Sequence, residues 1–266
     1  MTSFSPSDRR HLEEFLALLA AESGEIIRRY FRTSLSVEIK KDLSPVTVAD
    51  RLTEECLRKL IEKEFPDHGI LGEEFGSSSR SSRYQWVIDP IDGTKSFIHG
   101  GFDFGTMVAL LEDGYPVLGM VHQPIVSDLC IGDNDSAKLN GERIRTGEHV
   151  GLKEAVLLMS EPYSVSDYQD STGYDILVKQ VKLSRSWGNC FGYTLVASGL
   201  AHIMIDPVMA LWDIMAVLPI IRGAGGEVSD YQGNPPETGK SLVAATKRLH
   251  AEVIRTLALR SPSTSR

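Results

Sequence analysis

The sequence predicts a layered α/β or α+β chain: helices first, then sheet, then helices and sheet again. Three observations carry this. A helical apolar period opens the chain, Asp-Gly and Asn-Gly turns split its middle into hairpins, and strand-like and helix-like stretches alternate from about Lys153 onward. At 266 residues, 42% hydrophobic and 24% charged, the chain suffices for one large domain or two sharing a core.

Ser7 is placed to cap the first helix, where Leu12, Phe15, Leu16, Leu19, Ile26, Ile27 and Tyr30 recur at three- and four-residue steps. "LSPVTVAD" breaks that period, and Thr47 fits the cap of a second helix. That helix carries Leu52, Cys56, Leu60 and Ile61 and ends at "FPDHG". "GILG" runs into Glu73 and Glu74, "GSSSRSSR" reads as a mobile loop, and "WVID" is strand-like. "FGTMVALLEDGYPVLGMVHQP" reads as two strands turning at Asp113-Gly114, and "KLNGERIRT" as a hairpin turning at Asn140-Gly141. "AVLLMS" and "AHIMID" read as strands, "SWGNCFGYTLVASG" as a helix closed by Gly199, and "LWDIMAVLPIIRGAGG" as a helix with a glycine stop. "EVSD" and "SLVAAT" fit short strands, "LHAEVIRTLAL" a last helix, and "RSPSTSR" a frayed tail. No internal repeat stands out, and a seam near residue 150 divides an N-terminal half, 1–150, from a C-terminal half, 151–260.

A net charge of −8 argues against nucleic acid or an anionic membrane as partner. It does not exclude a phosphorylated substrate, because a bound metal reverses the local field. "MTSFSPSDRR" lacks the apolar region of a signal peptide, and no apolar run reaches the length of a membrane span. Cys56, Cys130 and Cys190 have neither disulfide-framework nor zinc spacing, which fits a reducing cytoplasm.

The chemistry concentrates in acids beside glycine, proline or a strand end: Glu73, Glu74, Asp89, Asp92 and Asp213, with Asp50 at the start of the second helix. Carboxylates gathered without histidine or cysteine are hard oxygen ligands, suited to magnesium or manganese. Asp89 and Asp92 repel one another unless a cation lies between them. Pro90 turns the chain after the strand, and Gly93 lets amide N–H groups face an anion if a helix starts there. Metals and amides aimed at one point make a phosphate site, in which two metals hold the attacking water and the leaving oxygen. "DPIDG" is neither an EF-hand loop, since Gly100 stands at the twelfth position, nor a D-x-D motif. A solvated acidic turn would leave the recurrence of acids in three apolar settings unexplained.

"GEEFG", "WVIDPIDGTKSF" and "WDIMAVLPIIRGAGG" resemble, in order and separation, the three signatures of the inositol monophosphatase superfamily of Mg²⁺-dependent, lithium-sensitive phosphatases. The likeness covers almost the whole chain. Its "DPIDGTKSFIHGGFDFGTMVALLEDGYPVLGMVHQP" and "GNCFGYTLVASGLAHIMIDP" are most similar to the histidinol-phosphate phosphatase branch, which serves histidine biosynthesis. The resemblance implies a five-layer αβαβα fold and a homodimer. It implies Glu73, Asp89 and the Ile91 carbonyl as ligands of a first metal, Asp89, Asp92 and Asp213 as ligands of a second, and Glu73 as ligand of a third, weaker ion. Two or three Mg²⁺ ions, or Mn²⁺, would then be bound. Gly93 and Thr94 match the phosphate-binding amides, Thr94 and Asp50 the pair that orients and deprotonates the attacking water, and Asp206 a contact to the substrate alcohol. Asn189 stands where that branch commonly carries aspartate, and Arg185, just before "GNC", is a candidate to reach the substrate.

The implied substrate is L-histidinol phosphate, with inositol 1-phosphate and then a 3′-phosphorylated nucleotide as alternatives, and a catalytically silent binding relative as the contrasting class. Glu74 is either a supporting carboxylate or a solvated one. Lys40 and Lys41 read as a solvated basic pair, His99 and His122 as isolated histidines, and Cys190 and Trp212 as packing residues.

Overall fold

The computed structural model describes residues 4–41, 43–78, 82–148 and 150–260. Its helices are α1 (Pro6–Tyr30), α2 (Val48–Glu64), α3 (Thr94–Ile98), α4 (Val165–Tyr168), α5 (Ser171–Gln180), α6 (Asn189–Ala197), α7 (Leu211–Gly223) and α8 (Lys247–Leu257). The strands of the N-terminal part are β1 (Val37–Ile39), β2 (Pro45–Thr47), β3 (Gly69–Gly72), β4 (Gly76–Ser77), β5 (Tyr84–Asp92), β6 (Gly105–Glu112), β7 (Tyr115–Gln123), β8 (Asp128–Gly132), β9 (Ala137–Leu139) and β10 (Glu142–Ile144). The remaining strands are β11 (Val156–Met159), β12 (Leu183–Arg185), β13 (Ile203–Asp206), β14 (Gly226–Ser229) and β15 (Leu242–Thr246). Among the described residues no helix is long and apolar enough to cross a membrane.

Strand periodicity builds the layers. Side chains alternate between the two faces of a strand. On the eight-stranded sheet, ordered β10-β9-β8-β7-β6-β5-β3-β4, Trp86, Ile88, Val108 and Leu110 face α1 and α2. Their neighbours Val87, Met107 and Ala109 face α6 and α7 on the other side. The five-stranded sheet, β12-β11-β13-β15-β14, repeats the device. Leu158, Met204 and Ala244 point to α6 and α7, whereas Leu157, Ile203 and Val243 point to α5 and α8. The order is therefore helix, sheet, helix, sheet, helix, the five layers expected.

Two glycines seat the middle helix layer. A Cβ on Gly119 of β7 would lie 2.0 Å from the Ala216 carbonyl oxygen, and one on Gly132 of β8 would lie 2.4 Å from Ile220 Cα. Their bare backbones let α7 lie directly on the large sheet, which fixes the height of Asp213 in its first turn.

Local signals behave as expected at both hairpins, where Asp113 and Gly114, and Asn140 and Gly141, all take positive φ. Others need correction. Ser5 caps α1, not Ser7: Pro6 needs no donor partner at the first helical position, and Asp8 completes a reciprocal cap with Ser5. The buried face of α2 runs through Ala49, Thr53, Leu57 and Ile61, while Leu52 is exposed. Gly76 and Ser77 of the serine-rich loop pair with β3, and residues 79–81 lie outside the described residues, as does 261–266 of the expected frayed tail.

Gly119→Ala should cost about 1–3 kcal/mol, because an added methyl cannot be absorbed by backbone on backbone. Urea unfolding checks this, and the displacement of α7 should also weaken divalent-metal binding through Asp213.

Candidate active site

In a regular strand, residues three apart point to opposite faces. Asp89 and Asp92 escape this because the β5–β6 register shifts between them: Asp89 pairs with Met107, but Asp92 pairs with Gly105. That is one extra residue, a bulge, and it turns both carboxylates to one side. Pro90 fits there because it has no N–H to give the ladder, and its carbonyl accepts the Thr106 hydroxyl at 2.9 Å. Gly93, at φ +84°, then turns the chain into α3.

Asp213 arrives from the opposite layer. Its Oδ2 accepts the Ala210 N–H at 2.9 Å, a cap of α7 by the third residue of its own first turn. Asp92 Oδ2 accepts the Cys190 N–H at the start of α6. Ligand atoms of Asp89, Asp92 and Asp213 all lie within 4.8 Å of one another. Asp89 is buried, and among the described residues its Oδ1 has no hydrogen-bond partner.

Glu73, in the turn after β3, joins Asp89. The turn is held from beneath by Glu54, a fully buried carboxylate that accepts the N–H groups of Glu74 at 2.7 Å and Phe75 at 3.2 Å and pairs with Arg58 at 2.7 Å. A Cβ on Gly72 would lie 2.0 Å from Glu54 Oε1, so only glycine clears this carboxylate.

Burial raises every one of these acids, and like charge adds to it at Glu73, Asp89 and Asp92. Burial, then the charges of Glu73 and Asp213, push Asp89 well above the usual carboxylate range. Burial and Asp213 push Asp92 up to about 8, and burial pushes Asp213 up to about 6. Glu73 is raised by burial against the opposing pull of Lys40.

Thr94 and Asp50 meet although 44 positions separate them. The Thr94 hydroxyl lies 3.2 Å from Asp50 Oδ1 and 3.0 Å from the Ile91 carbonyl. Asp50 Oδ2 is occupied by the Thr47 N–H at 2.8 Å and the Thr47 hydroxyl at 2.6 Å, so Oδ1 is the oxygen left toward Thr94. Thr47 caps α2 through the Ala49 N–H, as expected. Asp50 is buried, which raises its proton affinity.

The acids open onto a cleft of about 360 Å³ between the two large sheets' elements, lined among others by Asp92, Asp206, Asp213, Asn189 and Tyr193. Both Asp206 oxygens are engaged, Oδ2 by the Tyr193 hydroxyl at 2.9 Å and Oδ1 by the Ser160 N–H at 3.3 Å, and burial pushes this carboxyl up to about 7. The Asn189 amide donates to the Asp103 carbonyl at 2.7 Å and sits against Gly93, where a Cβ would lie 2.8 Å from Nδ2. Arg185 is not among the lining residues; it is exposed and donates to the Ser184 carbonyl at 2.7 Å.

Lys40 requires a correction. It is not a solvated cation: its Nζ lies 2.6 Å from Glu73 Oε1 and 2.9 Å from Glu74 Oε1. Glu74 is accordingly a supporting carboxylate, with a side chain 5% exposed. The sequence does not mark Glu54, because a glutamate within an amphipathic helix reads as surface. The capping Glu74 and Phe75 amides are supplied only by the fold.

The sequence profile of the inositol monophosphatase family matches residues 8–260. The chain belongs to that family. It is 41% identical over 237 residues to "Bifunctional phosphatase IMPL2, chloroplastic" of Arabidopsis thaliana, covering 86% of this chain and 68% of that protein. It is 38% identical over 239 residues to a histidinol-phosphatase of Chlorobaculum parvum, covering 89% and 92%. The histidinol-phosphatase of Mycobacterium tuberculosis is 33% identical over 258 residues, covering 93% and 98%. An inositol monophosphatase structure from Zymomonas mobilis superposes with a TM-score of 0.85 at 33% identity, over 96% of this chain and 100% of that one.

Inositol monophosphatase family members are metal-dependent phosphatases, and this chain's donors fit that dependence. The Asp89 oxygen without a partner among the described residues, the all-oxygen donor set and the repulsion among buried and half-buried acids each match a hard divalent cation. The family chemistry is thus available to this phosphatase on its own residues.

The metal-free phosphatase should lose stability as pH rises. Asp92, Asp213 and Asp206 bind protons more tightly in the native state than at the unfolded value of 3.8, so stability falls as pH climbs from there through about 6, 7 and 8. Melting curves in chelator should therefore shift downward between pH 5 and pH 8. Added divalent metal should raise the melting temperature more at the upper pH, and a flat metal-free profile would contradict the assignment.

Proposed function

We propose that the chain is a Mg²⁺-dependent phosphomonoesterase whose substrate is L-histidinol phosphate. The observation that carries the substrate is the pair of relatives named histidinol-phosphatase, 38% and 33% identical over nearly their whole lengths. The cleft chemistry supports it. Histidinol phosphate presents an ammonium, and Asp206 is a buried carboxylate at the cleft whose donors, from Tyr193 and Ser160, are uncharged. The second reading, inositol 1-phosphate, is favoured by the likeness to the Zymomonas mobilis enzyme.

Glu73, Asp89, the Ile91 carbonyl, Asp92 and Asp213 would hold the cations in this reading. Bound Mg²⁺ supplies charge neutralisation of the phosphate and acidity at the attacking water and the leaving oxygen. The chain's own residues do the rest. Gly93 and Thr94 amides orient the phosphate at the turn into α3. The Thr94 hydroxyl takes a proton from the attacking water as it gives its own to Asp50 Oδ1, so the threonine ends neutral and Asp50 ends protonated. Thr47 keeps the other Asp50 oxygen occupied, so a single oxygen receives the proton. Burial of Asp50 makes it the stronger base for that step. Residues 1–150 thus supply the proton path and most ligands, and residues 151–260 supply Asp213 and the substrate side.

Phosphate release from a panel of phosphomonoesters with Mg²⁺ tests the reading: histidinol phosphate should show the highest kcat/KM, and a higher value for inositol 1-phosphate or a 3′-nucleotide overturns it. Asp206→Asn, which keeps shape and removes charge, should weaken histidinol phosphate by about 1–3 kcal/mol and leave an aryl phosphate unaffected. Thr94→Ala or Asp50→Asn should lower kcat roughly 10²–10⁴-fold with metal affinity nearly kept. The double variant should be little worse than either single one, because the two act as a unit.

A further inference from the structure

Lys95 and Glu161 meet although 66 positions separate them, with Lys95 Nζ 2.5 Å from Glu161 Oε1. Each belongs to a different end of the cleft. Lys95 follows Thr94 directly in α3, so its side chain leaves the chain one position beyond the turn into that helix. Glu161 follows Ser160, whose N–H donates to Asp206 Oδ1 at 3.3 Å and whose hydroxyl accepts the Asn189 N–H at 2.8 Å. Both side chains line the same cleft as Asp92, Asp206 and Asp213. Neither is used by the chemistry above. The pair is 65% and 54% exposed, and exposed ion pairs contribute little net stability, so parting it costs little.

We propose that this ion pair is exchanged for the substrate's own two charges: the Lys95 ammonium turns to the phosphate, and the Glu161 carboxylate takes the cationic group of the alcohol. The inference deepens the reading above and rests on it, since it needs a phosphomonoester that carries a cation. The placement matches charge for charge. The cation stands on the residue next to the phosphate turn, and the anion on the residue next to the one that holds Asp206. Lysine suits the exchange, being a compact charge on a flexible stem that can turn from one acceptor to another. A zwitterionic ester gives each member a new partner, so two charge-assisted contacts replace one and no charge is left bare. An ester of an uncharged polyol draws Lys95 to its phosphate but offers Glu161 no cation, and a filled cleft holds less water to cover that carboxylate. Lys95 thus serves any phosphomonoester, whereas Glu161, together with Asp206, selects an alcohol that carries an ammonium.

Steady-state kinetics of the whole chain with Mg²⁺ separate this exchange from a mere surface clamp. Three esters are compared: histidinol phosphate, its analogue 3-(imidazol-4-yl)propyl phosphate, which lacks only the amine, and inositol 1-phosphate. Glu161→Gln should raise KM for histidinol phosphate about tenfold and should not raise it for the other two. Glu161→Ala carries the same expectation should the glutamine variant not fold. Lys95→Met should raise KM for all three esters by a similar factor, about tenfold, with kcat within about threefold of wild type, as for lost uniform binding. Lys95→Arg should stay within about threefold throughout, since the charge is kept. Exchanging the two residues, Lys95→Glu with Glu161→Lys, keeps an ion pair but puts a carboxylate beside the phosphate. A clamp predicts wild-type KM values there, whereas the exchange predicts weaker binding of all three esters than in either single variant. Wild-type KM values in the exchanged chain overturn the inference, as does a Glu161→Gln effect that is absent or equal on all three esters. A wild type that prefers inositol 1-phosphate overturns the substrate reading and takes the inference with it. A wild type that prefers histidinol phosphate while Glu161→Gln changes nothing overturns the inference alone.

Discussion

Glu73, Asp89, Asp92 and Asp213 are brought together where little water reaches them, and their repulsion is the constraint to which the surrounding structure answers. Each acid alone would move toward solvent. The chain prevents this by placing them on elements that cannot move independently. Asp89 and Asp92 belong to a central strand clamped between β3 and β6. Asp213 is fixed by α7, which the bare backbones of Gly119 and Gly132 seat against the large sheet. Apolar layers on both sides of that sheet supply the stability that the acid cluster consumes, a local conflict of the kind expected at functional sites.

A second regularity concerns how the carboxylates are oriented. Asp92 and Asp213 each give one oxygen to a backbone N–H at the start of a helix, from Cys190 and Ala210. Asp50 gives one oxygen to Thr47. In each case one oxygen is spent on the scaffold, which aims the other. This is how partners outside a metal's own contacts preorganise them. Asp206 differs, because Tyr193 and Ser160 take both of its oxygens. A carboxylate with both oxygens so engaged is less free to serve as a metal ligand than Asp92 or Asp213.

The parts of this architecture that were legible in the sequence are those with a local physical cause. Asp113-Gly114 and Asn140-Gly141 accept the positive φ that a two-residue hairpin turn requires, and Thr47 with Asp50 forms a cap from residues three apart. The acid pair around Pro90 is legible for the same reason. What escaped depends on contacts distant in sequence. β1 and β2 are three residues each and largely exposed on one strand, so no periodicity marks them. β8, "DLCIG", alternates poorly and is a strand because β7 and β9 flank it. On α5, Gly173 lowers helix propensity, yet it is needed where a Cβ would lie 2.5 Å from the Leu257 carbonyl of α8. Lys40 reads as solvated in the sequence because the partners that bury it stand 33 and 34 positions away.

The same reasoning explains why metal chemistry is easier to read from this chain than substrate identity. Holding a divalent cation demands several formal charges, and buried charges leave a conspicuous trace beside glycine, proline and strand ends. Shaping a pocket for the alcohol demands much less of any one residue. On the proposed reading it would draw on Ser160, Tyr168, Asn189, Val208 and Met209, which line the cleft from separate segments of the C-terminal part. All five are neutral residues that would be unremarked in any protein, and Asn189 spends its amide on the Asp103 carbonyl. Substrate choice would then be a property of how those segments are juxtaposed by α6, β13 and the start of α7. A change in that juxtaposition can alter the preferred alcohol while every ligand of the acid cluster stays the same.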